Sequence, residues 1–394
     1  MNLDIPSTFQ SIWQATTPET NYPALEKDLE VDVVVIGGGI AGLNAAYFLK
    51  NRGLKIAVIE MGKIVTGTSG NTTAKITSLH GLRYAYLREH FGQDKAQIYG
   101  NSNEWAISEL QRIIQKENIE CDFYQAPSFT YTNSPDDLDS IKQEVETAQK
   151  LGLPASFVNS IPGINLDILG AVRFDHQGYF HPRKFLLRIA ELINRDGSYI
   201  FENTPAQDIK ESERCNVQTP KATLLAKSVV IATNLPFYDP EKIFSQLERS
   251  GSFVIAAKPA SIFPEAMFIG TRGKDMSFRP HKNHQERWLI IGERHNEMGM
   301  GKNMNENIET LAKLTKEHFQ TDQIEFKWGA ADTMSLDKVP YIGRMPGSKN
   351  VYVATGFNTW GMTTSFVSAK LLTDLILGEK NDWESLYTPK RLRR

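Results

Sequence analysis

A chain of 394 residues, 41% of them hydrophobic, is long enough for two folding units with a buried core and needs no staple to hold it together. A formal net charge of -2 with no long basic block excludes the electrostatic footprint of a nucleic-acid binder. The two cysteines, Cys121 and Cys215, are far apart and in no CxxC pair, which argues against a disulfide framework or thiolate metal site and for two reduced thiols.

The opening MNLDIPSTFQ has no basic start followed by an apolar run, and no stretch approaches the roughly 18 apolar residues of a membrane helix. A cytoplasmic location without a membrane partner is the expectation. Residues 1–30 mix Pro, Thr and Asn without periodicity and read as an N-terminal extension packed over something larger. At Val31 the text changes: VDVVVI is a continuous β-branched run, glycines follow, and Leu43, Ala46, Tyr47 and Leu49 recur at helical spacing. Gly53 closes that helix and KIAVIE, ending at Glu60, forms a second buried strand, completing a βαβ unit.

Gly37, Gly39 and Gly42 spell GxGxxG directly after the first strand and at the helix start, the context this motif requires. Gly37 permits the tight turn, Gly39 lets the backbone approach a pyrophosphate, and Gly42 lets helix and strand pack closely. Ile40 and Ala41 open the helix whose N-terminus faces the phosphates, and Glu60 is placed to accept hydrogen bonds from a ribose hydroxyl pair. NAD and FAD share this fingerprint. The next segment favours FAD: after Glu60 and Met61, the stretch containing Gly67, Thr68, Ser69, Thr72, Thr73 and Ala74 supplies small donors suited to a loop around a large cofactor.

Residues 101–170 look largely helical and charged, and 246–329 contain alternating stretches such as SFVIAA and RWLIIGER that predict an antiparallel sheet. Both are assigned to a substrate domain. SVVIAT (ending at Thr233) and NVYVAT read as further cofactor strands, which gives a discontinuous cofactor domain over 31–100, 171–245 and 330–385 with a tail at 386–394. The second strand leads into Gly356, Trp360, Gly361, Met362 and Thr363, another glycine turn before a helix, whose backbone donors would face an electron-rich flavin edge. The predicted class is therefore α/β, a Rossmann-like cofactor domain interleaved with an α+β substrate domain of mixed or antiparallel sheet. The basic ending PKRLRR reads as a frayed, solvated tail.

Together these segments resemble the D-amino-acid-oxidase superfamily of flavoproteins, from about Ser11 to Leu386. VVVIGGGIAGLNAAYFLKNRG with VIE is similar to its ADP-binding unit, TGTSGNTTAK to its flavin-contacting loop, and DKVPYIG with ATGFNTWGMTTSF to its flavin-edge signature. The resemblance carries an adenine contact to Ala206. SIWQATTPETNYPALEKDLEVDVVVIGGG and WGAADTM are similar to gamma-glutamylputrescine oxidases, some of whose relatives add a Rieske domain; the paired Cys and His ligands of such a centre are not found here, so an external acceptor or oxygen is expected to take the electrons. The carboxylate-binding Arg of glycine-oxidase-like members has no match in Ala330–Met334, and the Lys of sarcosine-oxidase-like members has none in Trp288–Gly292.

The resemblance implies an amine or amino-acid substrate oxidised at its C–N bond by hydride transfer to flavin. Arg279 is the candidate for gripping an anionic substrate group, against a surface salt bridge. His80 is the candidate beside the isoalloxazine, against a hydrogen-bonded structural histidine. His281, His284 and His295, with Glu286 and Glu293, match no ligand pattern and read as a solvated hairpin, so no metal is expected. A flavin monooxygenase and a partner-dependent redox module are the competing functions, the first weakened by the lack of a second GxGxxG.

Overall fold

The computed structural model describes residues 5–161, 163–164, 166–261, 263–272, 276–283, 285–295 and 304–393. A short helix, α1 (Ile12–Ala15), precedes the βαβ unit of β1 (Leu29–Ile36), α2 (Ile40–Lys50) and β2 (Ile56–Ile59). Then come β3 (Lys75–Ile76), α3 (Arg83–Phe91), α4 (Gln93–Lys116), β4 (Tyr124–Thr132), α5 (Leu138–Lys150), β5 (Ala155–Val158), β6 (Gly170–Tyr179) and α6 (Pro182–Ile193). The middle of the chain supplies β7 (Tyr199–Phe201), β8 (Asp208–Glu211), β9 (Cys215–Gln218) and β10 (Thr223–Asn234), followed by β11 (Glu248–Ala257), β12 (Met267–Gly270), β13 (Ser277–Lys282) and β14 (Arg287–His295). The remaining elements are α7 (Met304–Phe319), β15 (Ile324–Met334), β16 (Tyr341–Arg344), β17 (Val351–Thr355), α8 (Gly361–Ile376) and α9 (Glu384–Tyr387).

The strands form two sheets. One has eight strands in the order β16-β17-β10-β1-β2-β7, with β9 and β8 added beside β10. Its centre is parallel, β1 lying between β10 and β2. Val33 and Val35 join a core with Leu43 and Ala46 of α2, while Val34 and Ile36 join another with Val217 and Leu224. Both faces of β1 are thus covered, which is why its sequence is an unbroken apolar run. The second sheet has nine strands in the order β15-β11-β14-β13-β12-β4-β6-β3, with β5 on β6. β11 pairs antiparallel with both β14 and β15, as its alternation predicts. Phe253 and Ile255 face α7, whereas Val254 and Ala256 join the core that also holds α2 and one face of β1.

Several boundaries differ from the sequence reading. β6 and the end of β15 beyond residue 330 pair in the nine-stranded sheet rather than the parallel one, and β3 crosses to it as well. β4 lies in a stretch read as largely helical; its pairing with β6 and β12 supplies the partners that local pattern cannot reveal. The N-terminal segment is an integral wedge: Ile12 and Trp13 are buried, Ser11 Oγ donates to the Gly70 carbonyl at 2.5 Å, and Trp13 Nε1 donates to the Thr72 carbonyl at 2.7 Å. The basic ending is tied down instead of frayed, because Arg391 Nε donates to Asp337 at 2.7 Å and its guanidinium lies over the Tyr341 ring. Cys121 and Cys215 are buried free thiols. Among the described residues no helix is long and apolar enough to cross a membrane.

Candidate functional site

A cavity of about 750 Å³ runs from the end of β1 to the nine-stranded sheet, within the range of ligand sites. At one end is the glycine turn. Gly37 has φ +113°, and a Cβ there would stand 2.5 Å from the Ala232 carbonyl oxygen; one on Gly42 would stand 1.9 Å from the Gly37 carbonyl oxygen. Gly42 thus serves packing and does not line the cavity, whereas Gly37, Gly39, Ile40 and Ala41 do. Ser69 Oγ accepts from Ile40 N at 2.8 Å, locking the loop onto the first turn of α2. Glu60 accepts from Gly38 N at 2.7 Å and Gly62 N at 3.0 Å, which sets its carboxylate at the cavity wall beside Met61 and Ala206.

The loop after β2 forms the middle wall, with Gly67, Thr68, Ser69, Thr72 and Thr73 lining it, and Thr233 of β10 joins them. Thr68 Oγ1 donates to the Ala331 carbonyl at 2.7 Å and accepts from Asn234 Nδ2 at 3.1 Å, bridging the two sheets. Ala74 is buried behind the lining with φ +56°, a bend that points the neighbouring Lys75 inward. At the far end Gly356, Trp360, Gly361 and Met362 line the cavity, so the start of α8 brings its unpaired first N–H groups there. Thr363 sits one layer back, its hydroxyl 3.1 Å from His80 Nε2.

His80 does line this end, stacked on Trp360 with centroids 4.6 Å apart. Both ring nitrogens are engaged: Nδ1 lies 2.6 Å from the Tyr99 hydroxyl, and Nε2 lies 2.7 Å from the Thr77 carbonyl. Burial, with the nearby Arg83 charge, pushes the imidazole down to about 3, so it is a neutral brace for Trp360. Arg279 does not line the cavity. It is fully buried, donating to the carbonyls of Thr73 (2.6 Å), Pro280 (2.8 Å) and Phe180 (3.2 Å) between the Trp13 and Tyr179 rings. Both readings of Arg279 differ from its placement: among the described residues it makes no salt bridge, and its guanidinium is committed to backbone carbonyls that tie the loop after β2 to β13. His281 is likewise buried, stacked on Trp288, and burial first, then Arg279, holds it well below its ordinary value; the hairpin is real but not solvated there. His284 and the His295 side chain lie outside the described residues.

Three cations line the cavity that no sequence motif marks, Lys63, Lys75 and Arg83, and the last two are buried. Lys75 is 7% exposed and Arg83 9% exposed, and both are lining residues. Arg83 Nη1 donates to the Lys338 carbonyl at 2.8 Å while its buried Nε has no partner among the described residues. Arg83, rather than Arg279, is the guanidinium at the cavity wall.

A family model described as FAD dependent oxidoreductase, DAO, matches residues 32–375. The chain belongs to the DAO family of FAD-dependent oxidoreductases. It is 33% identical to a putative Rieske 2Fe-2S iron-sulfur protein of Bacillus subtilis over 98% of this chain and 76% of that one. It is 22% identical to the gamma-glutamylputrescine oxidoreductase of Escherichia coli over 92% of this chain and 88% of that one. Glycine oxidase from Geobacillus kaustophilus shares the fold, with TM-score 0.78 at 16% identity, over 92% of this chain and 99% of that one. FAD is the cofactor of this DAO-family enzyme, and the glycine turn that a Cβ would fill, the Glu60 wall and the cavity's reach to α8 fit it.

Proposed function

We propose that this enzyme oxidises the C–N bond of an amine or amino acid, with oxygen or an external acceptor receiving the electrons afterwards. Bound FAD supplies the hydride acceptor. The observation that carries the reading is the continuity of one cavity from the GxGxxG turn to a wall built by the second sheet, where Ser277, Gly292 and Thr333 meet Trp360. A dinucleotide extended along it would have its redox end at that wall, where a small substrate could be held against it. The names of gamma-glutamylputrescine oxidoreductase and glycine oxidase, both sharing this architecture or sequence, support a C–N substrate. We place Glu60 and Ala206 at the adenosine end, Gly37, Gly39, Ile40 and Ala41 along the pyrophosphate, and Thr72, Thr73, Gly361 and Met362 by the ring system.

The residues divide the work. The α2 N-terminus and the glycine backbone would hold anionic phosphates; Trp360, braced by neutral His80, would bear on the ring system; and Val254, Gly292 and Phe357 give that end apolar surface beside the polar Lys75, Ser277 and Thr333. The test is an anaerobic visible spectrum of the purified holoenzyme titrated with primary and secondary amines and amino acids. Bleaching of the flavin bands by one of them is the expected result. Bands that only NAD(P)H bleaches would replace this reading with a hydroxylase.

A further inference from the structure

An amine gives up hydride from carbon readily only when its nitrogen holds no extra proton, and an alkylammonium keeps that proton until about pH 10. The cavity therefore needs a group to remove it. His80 is occupied at both nitrogens, and Arg83 is a permanent cation. Lys75 differs from both. Its Nζ donates to Ser277 Oγ and lies 3.5 Å from Thr73 Oγ1, so it spans the cofactor loop and β13 at the redox end of the cavity, and it makes no ion pair among the described residues.

We propose that Lys75 Nζ is the base that takes the ammonium proton of the bound substrate. The inference rests on the amine-oxidation reading above. One substrate N–H bond breaks, one Nζ–H bond forms, and the positive charge passes from substrate to Lys75; no electrons change hands in this step. The neutral amine then has its nitrogen lone pair free for the separate two-electron oxidation by FAD.

The surroundings of Lys75 favour a neutral amine waiting for a proton over a fixed cation waiting for an anion. On β13 itself stands the buried Arg279 guanidinium. On β6, Tyr179 is paired in register with Lys75 and remains a phenol, its ordinary range raised by burial and by Glu265, to which it donates. On α8, which packs against β3, Lys370 and Asp374 neutralise each other. Glu293 and Asp332 line the same cavity from the strands flanking β11. Burial first, and Arg279 second, push the Lys75 ammonium down to about 7.

The test uses holoenzyme reduced anaerobically by glycine, sarcosine, L-proline or putrescine from pH 6 to 10, with FAD content measured in parallel. Lys75→Met is expected to slow reduction about 100-fold at pH 7 and to recover toward wild type near pH 10, where the substrate deprotonates itself. Lys75→Arg should behave like Lys75→Met; a rate restored by arginine would make the residue an anion anchor and overturn the base. A Lys75→Met profile parallel to wild type at every pH would overturn it equally. Independently of any variant, acetic anhydride labelling of the wild-type protein, followed by mass spectrometry against pH, should give Lys75 a midpoint near 7. A midpoint near 10 would sink the proposal without reference to turnover. A wild-type enzyme that none of the four amines reduces overturns the oxidation reading and the base with it.

Discussion

Gly37 and Arg279 bear on the site in opposite ways, one by lacking atoms and one by committing all of them. Gly37→Ala forces a side chain onto the Ala232 carbonyl at a φ that alanine avoids. Relieving strain of this kind moves the turn, and FAD affinity should fall about 10- to 100-fold, corresponding to roughly 1–3 kcal/mol, as measured by titrating FAD into apoprotein. Arg279→Met leaves three buried carbonyls without donors, so unfolding in urea should show a loss of about 2–4 kcal/mol. It should not change the preference between substrates with and without a carboxylate, because the guanidinium never reaches the cavity; a selective loss for the carboxylates would restore the anion-gripping role. The same variant removes the repulsion felt by Lys75, and the labelling midpoint of that lysine should rise.

At the scale of elements, the loop after β2 is held by segments distant in sequence. α1 grips it through Ser11 and Trp13, and the turn after β7 grips it through Glu202, whose carboxylate accepts from Ile64 N at 2.9 Å and Lys63 Nζ at 2.8 Å while also holding Tyr22 N at 3.1 Å. Trp13→Ala should therefore cost about 3–5 kcal/mol of stability and weaken FAD retention on gel filtration, although Trp13 is not a lining residue. This dependence was hidden in the sequence. The βαβ unit was legible because a β-branched run, three glycines and a terminal acid specify a backbone shape locally; the glycine turn before α8 was legible for the same reason. What α1 or Arg279 does depends on which carbonyls arrive from elsewhere, and no periodicity records that. Lys75 stands at the end of TTAK, yet a lone lysine reads as solvated until a sheet closes over it. Of the motif residues, Gly42, Ala74 and Thr363 fall one layer behind the cavity lining, and the wall contributed by the nine-stranded sheet, Val254, Ser277, Gly292 and Thr333 among it, carries no local motif at all.

For the whole molecule, buried histidines set the acid limit. His80 and His181 are pushed by burial down to about 3, and His281 well below its ordinary value. The unfolded chain protonates each near pH 6.5, so it binds three protons that the folded chain refuses, and stability falls as pH drops through this window. Glu144 opposes the trend by one proton, since burial raises it to about 7 and the folded chain keeps that proton where the unfolded one loses it. With Glu104, also raised by burial, opposing in the same direction, the net is at most two protons and the loss at most about 2–3 kcal/mol per pH unit between pH 6 and 5. Thermal unfolding across that range checks the slope, and His281→Phe should roughly halve it. A final consequence follows from the bond between Asn44 on α2 and Ser365 on α8, which joins residues 321 positions apart. β1 likewise waits for β10 to arrive as its parallel neighbour. During synthesis the glycine turn emerges long before the walls that enclose the nucleotide, so a ribosome-bound chain presents the phosphate cradle with nothing to close over it. Cofactor capture is accordingly a late event, and the interval before it is when the nascent chain is most exposed to chaperones and proteases.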